Sequence, residues 1–216
     1  MRLEDKGEMF FPDEFIPVAE MTDTIHMMSK IILYKTCKYV AEIKDKGYDI
    51  ERISINFSMI ELRKKSFCED ILQIIKRTGV DPSLIAIELT ESRNEEDYEI
   101  VKDIMQELHG KGIKFYLDDF GTGYSNMERI IGLPIDIVKF DRSLTIMARK
   151  GDSSRFMVES FADIFDNADY QVLFEGVEDE MDEEICKTMK AHMLQGYKYS
   201  RPIPIEQLSD FLEQTK

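Results

Sequence analysis

Six short runs rich in β-branched and aromatic residues recur along the chain, and between them the apolar spacing changes from two residues to about 3.6. The runs are RISINFS (Arg52 to Ser58), LIAIELT (Leu84 to Thr90), IKFYLDD (Ile113 to Asp119), IDIVKFD (Ile135 to Asp141), YQVLFE (Tyr170 to Glu175) and QGYKYS (Gln195 to Ser200), and each reads as a strand. The segments between them read as amphipathic helices. From Asn94 to His109, residues Tyr98, Val101, Ile104, Met105 and Leu108 share a face, with Asn94 placed to cap the start and Gly110 the end. A second helix is predicted from about Ser153 to Asp166, with Met157, Phe161, Ile164 and Phe165 on one side. Ahead of the first run the chain reads as helix from Pro12–Asp13 to Lys46–Gly47, broken near Met21–Asp23, with no strand. Alternation this regular implies an α/β fold with parallel strands joined by right-handed crossovers, either an eight-stranded barrel or an open, doubly wound sheet. A barrel takes about 250 residues and eight strands. Six strands in 216 residues fall two short, so either the sheet is open or the chain begins inside the fold.

Composition narrows the classes of function. With 43% hydrophobic residues spread along its whole length and no linker, repeat or low-complexity tract, the chain is expected to form one domain, residues 1–216. A formal net charge of −15 repels polyanions, which argues against sequence-independent binding to duplex nucleic acid or to an anionic membrane. No run of apolar residues is long enough to span a bilayer, and no membrane insertion is expected. Cys37, Cys68 and Cys186 are odd in number and far apart, which fits a reducing compartment, the cytoplasm, or the cytoplasmic part of a larger protein. The thirteen methionines, Met27 and Met28 among them at helical spacing from Ile31 and Cys37, are expected in the core.

The chemistry is expected at the strand ends. Asn56, Glu88 with Glu91, Asp118 with Asp119, Lys139 with Asp141, Glu175 with Glu178, and Gln195 all close predicted strands, or follow or begin them. In a parallel α/β fold the carboxyl ends of the strands form one rim, so residues distant in sequence converge on one mouth. Carboxylates crowded there repel one another unless a cation sits among them, and all-oxygen ligands suit Mg²⁺, Mn²⁺ or Ca²⁺ rather than zinc or copper. Two such ions activate a water and stabilise in-line displacement at a phosphate. Taken singly, Glu91, Glu178 and Asp141 read more readily as turn or helix-capping residues. The Asp118–Asp119 pair after IKFYL is a poor choice for capping alone. Lys139, at the end of IDIVK, is as well explained by a buried stem with its ammonium reaching out, until its place opposite the acidic strand ends is considered. Gln195 alone reads as structural. The Gly121 and Gly123 of DDFGTGYSN lack the spacing and lysine of a phosphate-binding loop.

Seven ordered motifs carry a resemblance: PDEFIPVAE (Pro12 to Glu20), INFS (Ile55 to Ser58), IELTES (Ile87 to Ser92), DDFGTGYSN (Asp118 to Asn126), VKFDRS (Val138 to Ser143), EGVE (Glu175 to Glu178) and QGYKYSRP (Gln195 to Pro202). Together they resemble the EAL domain family over nearly the whole chain. The resemblance implies a modified TIM barrel and bacterial phosphodiesterases that linearise cyclic di-GMP to pGpG with Mg²⁺ or Mn²⁺. By position it makes Asn56, Glu88 and Asp118 metal ligands, Asp119 the residue shared with a second metal, and Lys139 the group that orients the attacking water. Glu175 becomes a further carboxylate near the metals, and Glu91 the anchor of the DDFG loop. Arg2, Asp141, Glu178 and Gln195 become residues that contact substrate or support the site. The chain departs from the pattern at its beginning. Arg2 resembles the arginine that follows the Glu-Ala-Leu triplet, so the triplet and its strand hairpin are expected to be missing, with the gap covered by a dimer partner, a swapped segment or a rearranged N-terminus, and a homodimer is expected. Two classes follow from this, a metal-dependent phosphodiesterase and a noncatalytic cyclic di-GMP receptor or interaction module, and the retained polar rim favours the first.

Overall fold

In the computed structural model, residues 3–90, 98–123 and 127–214 are described. The chain opens with an antiparallel hairpin, β1 (Leu3–Asp5) and β2 (Glu8–Phe10), in the register Leu3↔Phe10. Sequence reading places no strand here, because two three-residue strands rich in charge carry too little alternation to register. Its Lys6–Gly7 turn has positive φ at both residues (50° and 85°), the geometry of a tight two-residue hairpin. Helices α1 (Pro12–Met21) and α2 (Ile25–Asp45) follow. Pro12 starts α1 where no intrahelical N–H is needed, and the Glu14 carboxylate accepts from the Phe11 N–H at 2.7 Å. The break between the helices lies where the sequence predicts it, at Thr22–Thr24, with Asp23 in a left-handed conformation (φ 60°).

The remaining strands are β3 (Ile53–Asn56), β4 (Ile85–Thr90), β5 (Lys114–Phe120), β6 (Ile137–Phe140), β7 (Gln171–Phe174) and β8 (Met193–Leu194), and they form one sheet. Every pairing is parallel, and the order in space is the order in sequence. A doubly wound sheet reverses its strand order partway. Strictly sequential order with right-handed crossovers keeps every helix on one side, so the sheet is an arc of a (β/α) barrel. Its flanking helices are α3 (Met59–Leu62), α4 (Phe67–Thr78), α5 (Tyr98–His109), α6 (Met127–Gly132), α7 (Arg142–Ala148), α8 (Asp152–Asn167) and α9 (Glu180–Thr188). Helix α10 (Leu208–Gln214) returns to α2: Tyr48 donates to Glu213 at 2.6 Å, and Lys46 donates to Ser209 at 3.3 Å. The helical layer thus closes between the first and last parts of the arc, while β3 and β8 each pair with one neighbour among the described residues.

Three expectations need correction. The last strand is Met193–Leu194 rather than Gln195–Ser200, because Tyr199 and Ser200 donate back to the Gly196 carbonyl and turn the chain where the residue pattern mimics a strand. The buried face of α8 is Val158, Ala162 and Phe165, while Met157 and Ile164 are about half exposed. Met27 and Ile31 are exposed (62% and 49%), although Cys37 beside them is buried; Leu33, Cys37 and Val40 define the inward stripe of α2. Asn94, expected to cap α5, lies outside the described residues.

Strand alternation builds the site. Outward residues such as Ile85, Ile87, Phe115, Val138, Phe140, Val172 and Phe174 pack under the helices. Inward, Ala86, Tyr116, Ile137 and Leu173 form a small apolar layer of their own. Two residues further along the same strands, on the same face, come Glu88, Asp118, Lys139 and Glu175.

Candidate active site at the carboxyl rim

Lys139 is the centre of this upper layer. It is 4% exposed, and its Nζ lies 3.1 Å from Glu88 Oε1, 2.8 Å from Asp118 Oδ1 and 2.8 Å from Glu175 Oε1. Three strands therefore aim carboxylates at the ammonium of a fourth. Burial alone would lower the lysine's pKa, but Glu88, Asp118 and Glu175 outweigh it and hold the pKa above the ordinary value, so the group is charged at neutral pH. Asn56 extends the network, its Nδ2 donating to Glu88 Oε2 at 2.9 Å.

Adjacent residues on a strand point to opposite faces, so Asp118 and Asp119 could not both serve one site on a regular strand. The β5–β6 register shifts between Leu117 and Phe120, and Asp119 takes a left-handed conformation (φ 58°). This bulge re-aims the second carboxylate. Oxygens of Asp118, Asp119 and Glu175 then lie within 4.8 Å of one another. Gly121 ends the bulge at φ 103°, where a Cβ would sit 2.7 Å from Leu144. The Asp119 pKa is raised by burial, then by Asp118 and Asp141, and the Glu175 pKa is raised by burial with Lys139 opposing. One ammonium is set against four carboxylates, and the cluster is short of positive charge. The donor set is all oxygen, which fits a hard divalent cation held by Asp118, Asp119 and Glu175. Glu88 stands beside this group, in contact with Lys139 and Asn56.

The remaining residues singled out in the sequence sit around this centre. Asp141 caps α7 by accepting from the Ser143 N–H at 2.8 Å. Glu178 pairs with Arg142 at 2.8 Å and is held through its N–H by the buried Asp182. Gln195 is bonded through its backbone to Phe174 and Val177 and lines a small cavity of about 340 Å³ with Tyr197 and Arg201. Arg2 and Glu91 lie outside the described residues.

A cleft of about 820 Å³ opens beside the rim, between α1, α2 and the ends of β3 to β5, and Asn56, Asp118 and Asp119 line it together with Glu20 and Glu61. Ser58 caps α3, Glu61 reaches back to the Ser58 N–H at 2.9 Å, and the Ser58 hydroxyl bonds Glu20 of α1. Sequence reading gave Glu20 and Ser58 no individual role. A Ser-x-x-Glu capping box beginning two residues after a strand-end asparagine is the signal that marks Ser58 and Glu61.

The EAL domain family matches residues 1–202. The oxygen sensor protein DosP of Escherichia coli K12 is 29% identical over 202 residues, 93% of this chain and 25% of DosP. The cyclic di-GMP phosphodiesterase PdeL of the same organism is 31% identical over 193 residues, 89% of this chain and 53% of PdeL. The chain thus spans about a quarter to a half of the length of these relatives. Among solved structures, the PaMucR phosphodiesterase in complex with c-di-GMP superposes with a TM-score of 0.88 at 27% identity, covering 96% of this chain and 84% of that one. With a match across almost its whole length and the parallel barrel arc of such domains, this chain belongs to the EAL domain family.

Proposed function

We propose that this chain carries a metal-dependent phosphodiesterase activity that opens cyclic di-GMP to linear pGpG. The observation that carries the reading is the buried ammonium of Lys139 held among Glu88, Asp118 and Glu175 at one end of an oxygen-only cluster. Relatives named as cyclic di-GMP phosphodiesterases support the substrate. Asp118, Asp119 and Glu175 would hold Mg²⁺ or Mn²⁺, with Asn56 and Glu88 completing the ligand set. When bound, the metal supplies Lewis-acid stabilisation of a phosphate oxygen and lowers the pKa of a water. The protein's own groups do the rest. Lys139 Nζ stays protonated, so it donates hydrogen bonds and orients an attacking water rather than removing its proton. Hydrolysis adds that water across one of the two phosphodiester bonds, leaving a phosphomonoester and a free hydroxyl. The cleft beside Asn56 and Asp118–Asp119 is open and large enough for one nucleotide half. Arg2, Asp141, Glu178 and Gln195 are assigned to substrate contact or support, and Glu91 to anchoring the DDFG loop. The same reading places the chain in the cytoplasm as a homodimer.

The test is release of pGpG from cyclic di-GMP with Mn²⁺ by this chain. Mn²⁺-dependent release that vanishes in Glu175→Ala supports the enzyme. Tight binding without release would refute it and favour a receptor.

A further inference from the structure

Glu175 sits where β7 stops pairing. Its N–H donates to the Phe140 carbonyl at 2.9 Å, but the next ladder bonds run from Gln195 to Phe174 and from Val177 to Gln195. The carbonyl of Glu175 instead accepts from the Thr145 hydroxyl at 2.8 Å. Thr145 is 1% exposed, on the inward face of α7 between Leu144 and Ala148, both buried. A hydroxyl there is costly to bury unless it is bonded, and its place is otherwise one for an aliphatic side chain. Helix α7 directly follows β6, the strand that carries Lys139. The bond therefore ties the Lys139 unit to the backbone of the residue whose carboxylate meets Lys139 at 2.8 Å. The following residue, Gly176, is left-handed (φ 70°), and a Cβ there would lie 2.3 Å from Arg142 Cγ. The turn after Glu175 is thus set on one side by Arg142 and on the other by Thr145.

We infer that Thr145 is a positioning residue for Glu175, its hydroxyl fixing the backbone direction from which the Glu175 carboxylate reaches Lys139 and the oxygens of Asp118 and Asp119. The inference rests on the metal-dependent reading above. A rotation of about 15° at the Glu175 Cα displaces a carboxylate about 4 Å away by about 1 Å, enough to cost on the order of a hundredfold in a positioned reaction.

The experiment is calorimetric titration of Mn²⁺ into the metal-free chain, with thermal unfolding alongside. Thr145→Val keeps the shape and removes the donor, and should bind Mn²⁺ about tenfold more weakly, the usual effect of losing an outer partner of a ligand. Thr145→Ser keeps the donor and should bind within about twofold of wild type. In a Glu175→Ala background Thr145→Val should change nothing further, as expected of two residues acting through one another. Cys186→Ala, a change at a neighbouring buried position of α9 outside the Thr145–Glu175 bond, should leave Mn²⁺ binding unchanged. Wild-type affinity in Thr145→Val, or an equal loss with and without Glu175, overturns the inference. If Thr145→Val does not fold, Thr145→Ala against Thr145→Ser makes the same comparison. Absence of Mn²⁺ binding by the wild-type chain overturns the metal reading and this inference with it, whereas a flat Thr145 series on a binding wild type overturns only the inference.

Discussion

Replacing Lys139 by methionine keeps the volume of the stem and deletes the ammonium, leaving Glu88, Asp118 and Glu175 facing one another behind a nearly closed surface. At an effective dielectric near 20, contacts of 2.8, 2.8 and 3.1 Å are each about 5–6 kcal/mol of Coulomb attraction. Desolvating four ions at several kcal/mol each offsets most of that sum, so the pair network adds little net stability, yet breaking it strands buried charge at a cost of about 3–5 kcal/mol. For a chain of this size that is a fall in Tm of about 6–20 °C. The sign with pH follows from which group titrates. The wild-type ammonium, held above the ordinary lysine value, contributes fully below about pH 10.4 and is lost only as pH rises beyond it. Burial already holds the Glu175 carboxyl above the ordinary carboxylate value against the pull of Lys139, and removing that ammonium removes the opposition, so Lys139→Met regains stability relative to wild type as pH falls from 7 to 5. Mn²⁺ at pH 7 should restore part of the same loss by supplying the missing charge. The assay is thermal unfolding of both proteins at pH 7 and pH 5, with chelator and with Mn²⁺. A metal-free Tm at pH 7 within about 2 °C of wild type, with no relative gain at pH 5, would refute the reasoning.

Other perturbations separate the parts of the site. Glu88→Gln and Asp118→Asn should each weaken Mn²⁺ binding by about 10-fold or more while the far-ultraviolet circular dichroism is unchanged, and calorimetry showing unaltered affinity in both would remove them from the site. Asp119→Asn keeps a residue tolerant of the left-handed conformation and deletes a charge whose pKa burial and Asp118 hold above the usual carboxylate range. It should raise the Tm of the metal-free chain at pH 7 and lower Mn²⁺ affinity, and a fall in metal-free Tm would contradict the charge deficit. Gly196→Ala would place a Cβ 2.0 Å from the Val177 carbonyl oxygen, so urea unfolding should show a loss of about 1–3 kcal/mol with weakened Mn²⁺ binding through the displaced 175–178 turn. Unchanged stability would show that the turn yields freely.

The order of strands and helices was legible from β3 onward because each element carries its own periodicity, and a buried parallel strand such as Ile85–Thr90 is apolar whatever surrounds it. So were the polar strand ends, since Glu88, Asp118, Lys139 and Glu175 interrupt apolar runs at the position where a barrel places its mouth. The hairpin Leu3–Phe10 and the short β8 were not, because two or three residues hold no period to detect. Periodicity alone could not decide between an arc and a doubly wound sheet, a choice made by which strands become neighbours; the barrel was legible only through the resemblance carried by the seven motifs. Tertiary structure alone decided three further things: that three carboxylates share one lysine, that a bulge with Asp119 at positive φ turns consecutive aspartates to one side, and that Thr145 bonds the backbone of Glu175. The division has a physical cause. Periodicity and strand-end chemistry are local properties of the covalent chain, whereas distances between groups 30 or more residues apart, and the charge each group carries there, exist only once the strands are in register.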